Sequence, residues 1–91
     1  MAHIFFGKEL NIDDREYNFL NSTWGMVVRH AQRAKHDFAY KVTFSQVARE
    51  VKAQLYGILQ VFELQGKVDY EDADTIMKAI NGKIKEYEEA I

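Results

Sequence analysis

His30 and His36 are the first residues to weigh for chemistry, since imidazole serves as metal ligand, general base or pH switch. On a helix, six residues place two side chains about 240° apart around the axis, so this pair cannot grip one metal ion from a single face. His3 reaches them only through the N-terminal arm. The acids Asp69, Glu71, Asp72 and Asp74 imitate the start of a calcium loop, but Ala73 stands at the third ligand position and Asp74 where an EF-hand needs glycine. Acids in a first helical turn are explained by capping and by the positive end of the helix dipole. Ser22 and Ser45 have no local histidine arrangement, and no glycine-rich phosphate loop, serine elbow or HExxH motif occurs. No catalytic residue, metal ligand or cofactor is therefore expected, and the protein reads as a non-enzyme.

The basic band between residues 29 and 52 offers a different chemistry. Arg29, Arg33, Lys35, Lys41, Arg49 and Lys52 face only Asp37 and Glu50 along this stretch. Arg29, Arg33 and His36 fall on one outward helical stripe. Lys41, Arg49 and Lys52 follow across a turn. The set Arg29, Arg33, Lys41, Arg49 and Lys52 is a candidate anion-binding pole, and Tyr40 and Trp24 supply aromatic faces of the kind that nucleotides stack on. The competing explanation is charge matching: in an up-down-up bundle Glu86, Glu88 and Glu89 reach the same pole and would neutralise it.

Three start signals determine which elements carry these residues. Ile12-Asp13…Glu16-Tyr17, Val42-Thr43…Gln46-Val47 and Val68-Asp69…Asp72-Ala73 each combine a capping side chain, an acid or amide three positions later, and a flanking apolar pair that staples the chain. Behind the first, Tyr17, Leu20, Trp24, Val27, Ala31, Ala34 and Phe38 alternate in steps of three and four, the pattern of one helix face. Phe44, Ala48, Val51, Leu55, Ile58 and Phe62 repeat it, with Gly66 placed just past the end. Tyr70, Ala73, Met77, Ile80, Ile84, Tyr87 and Ile91 repeat it again. Their phase runs through Asn81-Gly82, which predicts one continuous helix with Gly82 outward.

The expected fold is all-α: an antiparallel three-helix bundle with heptad-like packing and an apolar N-terminal arm. Its single domain covers 1–91, with the arm at 1–11 and helices at about 13–37, 44–65 and 70–90. The arm carries Ile4, Phe5 and Phe6, too apolar to leave in water. Tyr56, Leu59, Val61 and Leu64 add apolar side chains off the main seam of helix 2, where Gly57 permits close approach of another backbone. Phe5, Phe6, Tyr56, Gly57, Leu59, Val61 and Leu64 are thus the expected interface, most simply of a homodimer.

Composition narrows the class further. Net charge is −2 and cysteine and proline are absent, so thiolate chemistry is excluded and a reducing cytoplasm is the expected location. No apolar run approaches bilayer length, and the arm lacks the features of a signal peptide. The expected function is that of a small interaction protein, a regulator, adaptor or inhibitor that presents helical surface to a protein partner. The alternative is a module that holds a nucleotide or nucleic acid at the basic pole.

Overall fold

Asp13 opens the first helix with both halves of a capping box: its carboxylate accepts from the Glu16 N–H at 2.8 Å, and the Glu16 carboxylate accepts from the Asp13 N–H at 3.0 Å. In this computed structural model, which describes residues 2–91, helix α1 (Asp14–His36) then runs unbroken through Asn21-Ser22-Thr23 and Gly25. Thr23 is buried, and its hydroxyl donates to the Phe19 carbonyl at 2.8 Å, which satisfies the one polar side chain in that part of the interior.

The second start signal is not a cap. Helix α2 (Lys41–Leu64) begins before it, so Val42 and Thr43 already lie within the first turn. A 3-10 turn at Phe38–Tyr40 leads directly into α2, and Asp37 caps that turn by accepting from the Ala39 N–H at 3.2 Å. Because the turn's own carbonyls receive the first N–H groups, beginning with Lys41 on Phe38, no side-chain cap is needed at Tyr40. Phe38 leaves the α1 seam and is 82% exposed. At the other end Gly66, at φ 74°, closes α2 in a Schellman arrangement: Lys67 N–H bonds to the Phe62 carbonyl at 2.8 Å and Gly66 N–H to Glu63 at 3.0 Å.

Helix α3 (Tyr70–Ala90) starts after Asp69, whose backbone is extended as a cap requires but whose side chain makes no cap bond. Asp72 leans instead toward Lys8, 3.8 Å away on the arm. The helix passes Asn81-Gly82 without a break, and Gly82 faces open space.

The arm is a β-hairpin. Strands β1 (His3–Phe5) and β2 (Lys8–Leu10) pair antiparallel with Phe5 opposite Lys8, leaving Phe6-Gly7 as a two-residue turn. Both turn residues have positive φ, 50° and 79°, as hairpins of this length favour. Phenylalanine is a poor residue for that conformation. Its ring is held edge-on against Phe5 and Trp24, each with centroids 4.9 Å away.

The three helices form an antiparallel bundle in which α2 packs on both neighbours while α1 and α3 meet sparsely. The hairpin joins the α1 and α3 side through Phe6 on Trp24 and Lys8 on Asp72. Leu20, Val27, Phe44, Val51, Leu55, Ile76 and Ile80 form the deepest layer with Leu10 and Ile12. Full burial of a large apolar side chain contributes about 1.5–3 kcal/mol, so this layer dominates the favourable balance. Two residues expected at an interface belong to this core instead: Leu59 is 1% exposed and Phe5 4%. Each points inward because the helix and strand faces that meet the core are wider than the single seam read from spacing.

The caps give a direct contrast. Asp13→Ala is expected to cost about 1 kcal/mol, the usual value of an N-cap, whereas Thr43→Ala is expected to change stability by less than about 0.6 kcal/mol because Thr43 caps nothing. Urea denaturation of both variants reads the difference.

Candidate protein-docking site

Next to the core seam of α1 runs a second stripe, Phe19, Thr23 and Met26, spaced four and three. It faces Gln54, Gly57, Ile58 and Val61 of α2 across an open groove. Toward the hairpin pole the groove continues between Phe19 and Phe62, where the aliphatic stems of Arg15 and Glu16 form one wall and about 490 Å³ lies open above apolar side chains. Phe19 is 57% exposed and Val61 49%. A Cβ added at Gly57 would meet nothing within 4 Å, so the groove is open above this residue.

The expected interface residues are therefore divided. Gly57 and Val61 line the α1/α2 groove, Tyr56 lies on the α2/α3 side, Leu64 projects from the end of α2 at 88% exposure, and Phe6 is half-buried against Trp24. Phe19, Thr23 and Met26 complete the groove and were not expected there. Their signal is present in the sequence as a second four-and-three repeat, one position out of phase with the stronger seam beginning at Leu20.

The five cations proposed for one anion-binding pole are also spread over several faces. Arg33 lies over the Tyr40 ring, 4.4 Å from its centroid, and His30 stacks on the same ring while its Nδ1 is hydrogen-bonded to the Tyr40 hydroxyl. Arg29 folds back along α1, where its Nη1 would be 3.3 Å from a Cβ at Gly25. Arg49 and Lys52 line a separate α2/α3 groove with Ser45 and Glu88, and Lys41 is exposed at the start of α2. The neutralising glutamates do not meet Arg33, Lys35 or Lys41 in ion pairs: Glu86 pairs with Lys83 at 3.3 Å, and Glu88 accepts from Ser45 at 3.1 Å. Among the described residues, Arg15, Arg29, Arg33, Lys41, Arg49 and Lys52 take part in no ion pair.

Among the described residues no group of three potential metal ligands comes together, and no helix is long and apolar enough to cross a membrane. His30 and His36 stay apart, as their spacing on α1 requires. Asp74 holds Lys78 at 3.0 Å, and this bond and its charge raise the lysine's pKa. Comparison with family models, curated proteins and solved structures returns no match to this chain.

Glu16 borders the groove and supplies a pH dependence. Its carboxyl is held below the ordinary value of 4.5, chiefly by the hydrogen bond from the Lys67 ammonium and next by the Asp13 N–H. A carboxyl that ionises more readily folded than unfolded adds stability that is whole above its unfolded pKa and is lost as pH falls through the lowered folded value. Glu16→Gln is thus expected to flatten the acid limb of stability between pH 5 and the folded pKa, measured as thermal midpoint against pH.

Proposed function

We propose that this is a small non-enzymatic interaction protein whose α1/α2 groove receives an amphipathic helix from a protein partner. The observation that carries the reading is the groove itself: apolar side chains from two helices, Phe19, Ile58 and Val61, remain open to water beside a glycine that leaves room for a backbone. Exposed apolar grooves of this kind accept helices through residues at i, i+3, i+4 and i+7. From Arg15 to Met26 the lined stretch of α1 measures roughly 17 Å, about three turns, which fits one helix better than the ~800 Å² per partner of a standard protein interface.

Charge supports an acidic occupant. Arg15 lines the groove, Arg33 continues the same helical phase about two turns beyond Met26, and neither is in an ion pair, whereas Glu16 in the lining is already held by Lys67.

A titration followed by amide NMR tests this with two peptides that share leucines at i, i+3, i+4 and i+7 and carry glutamates or lysines at both ends. The acidic peptide is expected to shift Phe19, Met26, Ile58 and Val61 saturably, and Gly57→Trp to abolish the effect by filling the groove. Gly57→Ala serves as the folded control. Unchanged shifts in Gly57→Trp, equal binding of the basic peptide, or a stable dimer by light scattering would each overturn the assignment.

A second reading rests on the Arg33–Tyr40–His30 stack: a module binding nucleotide or nucleic acid through cations that carry no ion pair. It expects the Arg29→Ala, Arg33→Ala double variant to weaken binding of a single-stranded oligonucleotide and to reduce its salt dependence. Fluorescence anisotropy at two salt concentrations decides it, and full affinity in the double variant removes it.

A further inference from the structure

A hollow of about 190 Å³ lies on the other side of α2, between it and α3, and its chemistry is unlike that of the groove. Its floor includes Leu59 and Ala73, both buried. Because the two helices run antiparallel, Tyr56 and Met77 fall at one end and Glu63 and Tyr70 at the other, about 10 Å apart over seven residues of helix. Asp74 occupies the side between them.

Each polar element here favours a cation. Tyr56 and Tyr70 are both more than half exposed, which leaves ring surface open at each end, and a cation within about 6 Å of an aromatic centroid is attracted by its quadrupole. Glu63 is half-buried, and its carboxylate has no hydrogen-bond or ion-pair partner among the described residues. Asp74 Oδ2 holds Lys78 at 3.0 Å, an exposed lysine whose pairing is cheap to break. Planar guanidinium combines stacking on an aromatic face with paired hydrogen bonds to carboxylate, which ammonium cannot do.

We infer that the α2/α3 hollow is a binding site for an arginine side chain, with Tyr56 and Tyr70 as aromatic walls and Glu63 and Asp74 as the counter-charges. The site lies on a different face from the α1/α2 groove and does not rest on the helix-docking reading.

The test is an amide NMR titration with N-acetyl-arginine methylamide, with the citrulline derivative as a neutral isostere. The arginine compound is expected to shift Tyr56, Glu63, Ala73 and Asp74 saturably and to bind at least about tenfold more tightly than citrulline, the scale of one cation–π contact and one charge pair. The Tyr56→Leu, Tyr70→Leu double variant and, separately, Glu63→Gln should each lose most of that preference while a thermal melt reports their folding. Both tyrosines are exposed, so the fold does not depend on them. Equal binding of citrulline, shifts spread evenly over the surface, or an unaltered preference in both variants would overturn the assignment.

Discussion

Lys67 ties together α1, α2 and the hairpin at one pole of the bundle. Its N–H ends α2 on the Phe62 carbonyl, its own carbonyl accepts from Asn11 at 2.9 Å, and its ammonium bonds Glu16 while lying 5.5 Å from the Phe62 ring centroid. The Glu16 it holds is the same residue that completes the capping box of α1. One residue after Gly66 therefore positions the end of α2, the start of α1 and the exit from the hairpin. Without the left-handed turn at Gly66 the chain could not deliver Lys67 to that point.

The hairpin is secured differently. Contacts from Phe5 to Phe6, Phe6 to Trp24, Trp24 to Tyr87 and Tyr87 to Phe44 form a chain of aromatic rings that touches the arm and all three helices. Aromatic pairs of this geometry add about 0.5–1.5 kcal/mol each beyond the area they bury. That is on the order of the 1–3 kcal/mol that an unfavourable left-handed residue costs, which explains how Phe6 is tolerated at φ 50°. The same chain fills space where α1 and α3 would otherwise meet, so the cores of arm and bundle are continuous.

Much of this was legible in the residues because helix periodicity and capping are local. The Asp13–Glu16 box, the glycine end at Gly66 and the continuity of α3 through Gly82 all follow from side chains within a turn or two of one another. Thr43 looked like a cap for equally local reasons, but the backbone of the preceding 3-10 turn had already taken that role. The α1/α2 groove was half visible. Val61 and Gly57 stood out on α2, whereas Phe19 sits beside the stronger Leu20 and its membership of a groove depends on which helix lies alongside. The basic residues are spread over several faces for the converse reason. They are close in sequence, yet Arg33 turns to Tyr40, Arg29 to Gly25, and Arg49 with Lys52 to α3.

The bonds made by Lys67 have a kinetic side. Asn11 and Glu16 wait for a residue more than fifty positions later, so neither the arm nor the start of α1 reaches its final environment until both long helices and the turn after them exist. Helices α1 and α2 can form early from local contacts, but closing so long a loop is entropically slow and rewards the chain only at the end. The hairpin exit and the start of α1 therefore settle only once Lys67 arrives, although Phe6 meets Trp24 of α1 without it, and the charged β2 residues Lys8 and Glu9 are the kind of side chains that discourage a bare strand edge from pairing with a neighbour.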